Sequence, residues 1–157
     1  MATWGHLEAA DAEMAAGGRA LLYQVGDVGL AFLGTVRKDG VARVHPVCPL
    51  LTDDRMYLFV IPSTKRNDLL RDGRYTLHSF PTDSNEDAFC VTGRAVLVDD
   101  ATTWQRLADQ FAAERASLGG IRPAEEDLLF ELSVDSCFLT RTTGHGDPHP
   151  NHQHWRA

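Results

Sequence analysis

The sequence predicts a mainly β fold with added helices, an α+β antiparallel barrel. Six short segments rich in Val, Ile, Leu, Phe and Tyr recur between clusters of turn residues, the pattern of strands in succession. The first two flank Lys38-Asp39-Gly40, and Asp-Gly supplies the positive-φ positions that a tight hairpin turn needs. The segments do not alternate with long helical patterns, which excludes a parallel, doubly wound sheet. At 157 residues the chain reads as one domain, residues 1–157.

In chain order, Trp4 to Tyr23 reads as an N-terminal helix within residues 1–24, with Leu7, Ala10, Met14 and Leu21-Leu22 on its apolar side. Gly17-Gly18 marks the point where it would break or bend. Val28 to Val36 is the first strand. Val41 to Val47 is its partner, with Val41, Arg43, His45 and Val47 on one face and Ala42, Val44 and Pro46 on the other. Pro49 and Thr52-Asp53-Asp54 close it. Met56 to Ile61 is apolar almost throughout and reads as a strand buried on both faces.

Thr64 to Arg71 is a short helix, capped by Ser63 or Thr64 and packed down by Leu69-Leu70. Arg74 to Phe80 is the fourth strand, and Pro81 to Asp87 an acidic loop. Phe89 to Val98 is the fifth strand, where Gly93 marks a bulge or a close backbone approach. Asp100 to Leu118 is an amphipathic helix with Trp104, Leu107, Ala108, Phe111 and Ala112 at helical spacing, ended by Gly119-Gly120. Leu128 to Thr140 is the sixth strand. Gly144 to Ala157 is a polar, His-rich tail without hydrophobic periodicity.

Charge excludes one large class. A net charge of −7 does not suit a general nucleic-acid binder, which needs a basic face. Between Arg37 and Arg74, however, eight Lys/Arg stand against five Asp, a local +3 that leaves −10 for the remainder. No stretch is long and apolar enough to span a membrane, and no signal-peptide pattern opens the chain. Cys48, Cys90 and Cys137 are odd in number and lack CxxC spacing, so they read as buried free thiols and the protein as cytoplasmic. Neither GxGxxG nor GxxxxGK[ST] occurs.

Three constellations could carry chemistry. Arg43, with Ser63, Thr64 and Lys65 at the start of the short helix, offers a bidentate donor, hydroxyls and a point charge, the groups that hold a phosphate. The same residues also read as an ordinary capped helix start with a surface Arg. His145, His149, His152 and His154, with Asp147, are metal or haem ligands by residue type, or simply a polar tail. Without HExxH spacing no metal site is assigned. His45 and His78 lie on strands, as a base or as satisfied, half-buried histidines. No nucleophile triad has a local signature, so no catalytic residue is assigned and any chemistry falls to a cofactor.

The ordered runs GLAFLGTVRKDGVARVHPVCPLL, MYLFVIPSTKRNDLLRDGRYTLHSF, FCVTGRAVLVDD and LLFELSVDSCFLTR resemble the pyridoxamine 5′-phosphate oxidase-like, FMN-binding split β-barrel family, over residues 27–142. The resemblance implies a six-stranded antiparallel split β-barrel of Greek-key type. It also implies a homodimer with FMN sites at the interface, and an oxidoreductase acting on a small molecule. Residue by residue, Arg43, Ser63, Thr64 and Lys65 match phosphate-binding positions. The backbone of Val44, His45, Pro46 and Val47, with Val60 and Ile61, would line the isoalloxazine ring. Trp155 corresponds to a C-terminal Trp that approaches the flavin in some members. Cys48 stands where the namesake oxidases carry a Lys for the substrate phosphate, so pyridoxamine phosphate is not the expected substrate. The family also implies alternatives: a deazaflavin-dependent reductase, or a non-enzymatic haem or flavin binder.

Overall fold

The structure is a computed structural model and describes all 157 residues. The N-terminal segment forms two helices, α1 (Trp4–Ala10) and α2 (Ala12–Leu22). The break falls at Asp11, whose carboxylate accepts a hydrogen bond from the Met14 N–H at 2.9 Å and so caps α2. Gly17 and Gly18 do not bend the helix as expected. Both are buried, and a Cβ on Gly18 would meet the Phe89 ring at 2.7 Å. Their missing side chains let α2 lie close against the sheet.

Nine strands follow: β1 (Ala31–Val36), β2 (Ala42–Val47), β3 (Leu50–Leu51), β4 (Met56–Val60), β5 (Arg74–Ser79), β6 (Ala88–Leu97), β7 (Leu128–Leu132), β8 (Ser136–Arg141) and β9 (Asn151–Arg156). Helix α3 (Thr64–Arg71) joins β4 to β5, and α4 (Ala101–Glu114) joins β6 to β7. All pairings are antiparallel. The order β2-β1-β5-β6-β7-β4-β3 sets non-consecutive strands side by side, as Greek-key connections do. The result is a curled, split half-barrel, as the sequence predicts.

The strand count is nine rather than six, for three reasons. Leu50–Leu51 is a two-residue strand on β4, too short to leave a pattern. The expected strand 128–140 is two strands, because the chain kinks at Ser133-Val134-Asp135. The supposed polar tail ends in β9, paired with β8 from Ser136↔Arg156 to Arg141↔Asn151. On β9 only Gln153 and Trp155 turn inward, while His152, His154 and Arg156 are exposed. That alternation is real, but it carries one large apolar residue and so shows no hydrophobic period.

The kink and Gly93 together make the split. The first half of β6, Ala88–Thr92, pairs with β8, and its second half, Ala95–Leu97, pairs with β7. At the changeover the Ser133 carbonyl lies over Gly93, where a Cβ would be only 2.0 Å away. The Tyr75 hydroxyl donates to that same carbonyl at 2.6 Å. Gly93→Ala is therefore expected to destabilise the fold by about 3 kcal/mol through overpacking against backbone, read as a lower urea midpoint.

A core of 24 buried residues fills the barrel, with Trp4 edge-on to Phe89 and Leu33, Leu58, Leu77 and Phe130 at its centre. A smaller cluster of Leu50, Tyr57, Leu107 and Leu129 sits under α4, where Trp104 and Phe111 both pack edge-on to Phe59. The cysteines are free: Cys137 is buried, while Cys48 and Cys90 are only half-buried. Burial pushes the Cys137 thiol up to about 12 and raises that of Cys90, so neither is a ready nucleophile. No helix is long and apolar enough to cross a membrane.

Candidate functional site

Two features of the hairpin β1–β2 frame the site. Its strands pair in the register Thr35↔Arg43, Leu33↔His45 and Ala31↔Val47, so these side chains share the inner face. Val44 and Pro46 point outward, with Val44 63% exposed. Strand β2 pairs only with β1. Its other edge presents alternate backbone N–H and C=O groups with no strand partner.

Helix α3 packs beside β1 and contributes Asp68, a carboxylate only 4% exposed. Asp68 Oδ2 accepts from the Arg43 Nε at 2.7 Å and the Thr35 hydroxyl at 3.0 Å, and Oδ1 accepts from Arg71 at 3.2 Å. Burial alone would raise this carboxyl. The hydrogen bonds from Arg43, Thr35 and Arg71 outweigh it and hold the pKa below the usual carboxylate value. Arg43 is thereby fixed through its Nε, and both of its Nη groups are left for another acceptor.

Around Arg43 opens a cavity of about 360 Å³ with no hydrophobic residue in its lining. Arg37 and Lys38 from the hairpin turn, Thr64 and Asn67 from α3, and Asp39 and Asp68 complete the wall. Arg37 is paired with Asp39 at 2.9 Å on the surface. Three cations, a hydroxyl and an amide converge here, a donor set suited to an anion.

The predicted site residues divide on this geometry. Arg43 and Thr64 line the same cavity. Strands β2 and β4 do not pair with each other, and it is α3 that brings the two together. Ser63 caps α3, its hydroxyl donating to the Ile61 carbonyl at 2.8 Å and receiving the Arg66 N–H at 3.4 Å. Lys65 is half-buried and stands outside the lining. Val60 is fully buried at the end of β4, and Ile61 beyond it is 55% exposed. His45 is half-buried on the inner face of β2, whereas His78 is exposed on β5. Trp155 packs on the main core from β9, and β2 and β9 lie five strand steps apart in the β2-β1-β5-β6-β8-β9 sheet. No three His, Cys, Asp or Glu side chains converge as a metal cage, in the tail or elsewhere.

Sequence reasoning missed Arg37, Lys38 and Asn67. Turn residues read as punctuation, and nothing local shows that the hairpin tip curls over α3. The signal was the +3 excess of the segment, which begins at Arg37.

By sequence, the chain matches no protein-family model and no curated protein. Its fold recurs in solved structures at low identity. A protein related to general stress protein 26, of the pyridoxinephosphate oxidase family, from Clostridium acetobutylicum, aligns with a TM-score of 0.63 at 13% identity, over 88% of this chain and 90% of that one. A pyridoxamine 5′-phosphate oxidase-related, FMN-binding protein from Nostoc punctiforme gives 0.55 at 15% identity, over 96% and 97%. An F420 reductase gives 0.58 at 16%, over 77% and 95%. The fold is that of the pyridoxamine 5′-phosphate oxidase-like split barrels.

Proposed function

We propose that the chain is a homodimeric FMN-dependent oxidoreductase acting on a small molecule. The observation that carries this reading is the cationic cavity at Arg43, set directly beside the unpaired edge of β2. The flavin's phosphate would meet the Arg43 Nη groups, Arg37, Lys38 and Thr64. The free backbone groups of Val44 to Val47 would meet the polar edge of its ring, next to Ile61. When bound, FMN supplies two-electron transfer; the protein's share is to bind, orient and shield.

The outer face of the sheet supports a dimer. Across neighbouring strands the register aligns Pro46, Phe32, His78, Cys90, Phe138 and His154 in one row. Phe138, towards the β8–β9 end of that row, is 39% exposed, an apolar surface that a second copy would cover. A second copy would also offer its Trp155 edge to the flavin.

A deazaflavin coenzyme also carries a phosphate, and the F420 reductase shares the fold, so a deazaflavin-dependent reductase is the second reading. Titration of the purified protein with each coenzyme separates the two, because their visible spectra differ. Arg43→Ala and Arg37→Ala are each expected to weaken FMN binding about tenfold or more, the worth of one charge-assisted contact. Lys65→Ala is expected to have a smaller effect. Unchanged affinity in both arginine variants would sink the assignment.

A further inference from the structure

A second cavity, of about 580 Å³, opens where β5 runs into the connection to β6. Its floor is a stacked pair, Phe32 from β1 and Phe80 just past β5, with ring centroids 4.4 Å apart and planes 26° apart. Both residues are only half-buried, so ring surface stays open.

Beside the Asn85 amide, the rim carries several hydrogen-bond acceptors. His78 Nδ1 lies 2.7 Å from the Ser79 carbonyl, and His145 Nε2 lies 3.2 Å from the Asp83 carbonyl. A carbonyl can only accept, so the ring nitrogen facing it carries a proton, and in the neutral tautomer the other nitrogen offers a lone pair. Asp87 takes the Thr142 N–H and hydroxyl on Oδ1, at 2.7 and 2.9 Å, which leaves Oδ2 free. Glu86 is exposed beside it, and no Lys or Arg lines the cavity.

We propose that this cavity is the substrate pocket, and that it selects a planar aromatic molecule that is cationic or rich in N–H donors. The role as substrate pocket rests on the flavin reading above. An aromatic floor stacks a flat ring and attracts a cation through its π face. The acceptor rim satisfies amine or amidine N–H groups. A carboxylate or phosphate would meet Glu86 and Asp87 with no counter-charge, so the same rim rejects anions. Position agrees with chemistry. Phe32 pairs with Pro46, inside the strip proposed for the flavin ring, while Thr35 pairs with Arg43 at the anion cavity. The hairpin thus carries an anion-binding end for the cofactor and an anion-rejecting end for the substrate.

Benzamidine and benzoate are flat, nearly isosteric and oppositely charged, which makes them the test pair. Both, and phenyl phosphate, are titrated into the isotope-labelled full-length protein and followed by NMR. Benzamidine is expected to shift signals of Phe80, Asn85 and Glu86 and to bind about tenfold more tightly than benzoate or phenyl phosphate. Phe80→Ala is expected to weaken benzamidine about fivefold, and Glu86→Gln to narrow its advantage over benzoate. Equal or tighter binding of either anion overturns the proposal, as does benzamidine binding elsewhere on the protein. An FMN titration of the same sample separates the two readings. Benzamidine binding here without FMN uptake supports the ligand class and overturns the flavin reading. FMN uptake without benzamidine selectivity keeps the flavin and overturns the pocket.

Discussion

Asp68→Ala is expected to lower the unfolding free energy by about 3 kcal/mol, the lower end of what breaking a buried ion pair costs. The lower end applies because the Arg43 side chain keeps 25% of its surface in water and that of Arg71 keeps 37%. Three donors lose their acceptor at once, and Thr35, only 3% exposed, has no water to turn to. The effect is tied to pH with a definite sign. The folded carboxyl has a depressed pKa, so its contribution is fully present above the unfolded value of about 4. It is lost as pH falls below that value and through the folded pKa. Urea titrations of the wild-type and Asp68→Asn proteins should therefore differ at pH 7 and converge as pH is lowered towards 3. A constant difference across that range would show that Asp68 does not act as a charge. So would equal midpoints at pH 7.

Asp68 also shows how much could be read from the sequence. The hairpin, α3 with its Ser63 cap, α4 and the buried β4 all followed from turn chemistry and periodicity, because their signals are local. Gly93 was legible as a close approach, although its partner, Ser133, was not. The anion site was legible in part. Arg43 and Thr64 stood out by residue type as groups that together hold a phosphate, and the family resemblance matches the same positions. What assembles them is the Thr35–Asp68–Arg43 bond set, which joins β1, β2 and α3. Nothing in the run Arg66-Asn67-Asp68 singles out Asp68 itself. Whether a helical carboxylate faces water or a buried arginine depends on where β1 lies, and no window of sequence contains that. The aromatic cavity was illegible for the same reason, since Phe32 and Phe80 are 48 positions apart and meet only through the β1–β5 register.

Removing residues 144–157 is expected to cost still more, about 4 kcal/mol. Part is the half-buried Trp155 leaving the core, and part is the loss of the β8–β9 hydrogen bonds. For a chain of this size that corresponds to a fall in Tm of roughly 10 °C, read by circular dichroism. Loss of the strand also strips cover from β8, whose Cys137 and Leu139 lie in the core, so the truncated protein should aggregate on heating. The experiment bears on the haem alternative as well, since truncation removes every histidine of the tail. A truncated chain that fails to take up haem proves nothing about ligands if its fold has been weakened. The double variant His152→Ala/His154→Ala separates the two causes. Both imidazoles are exposed, and they touch the rest of the molecule mainly through Phe138 and the Thr140 hydroxyl. Stability should change by less than about 0.5 kcal/mol. Haem uptake by the intact protein that vanishes in this variant while Tm holds would assign the histidines to a ligand. An unchanged Tm on truncation would show that β9 contributes little to the barrel.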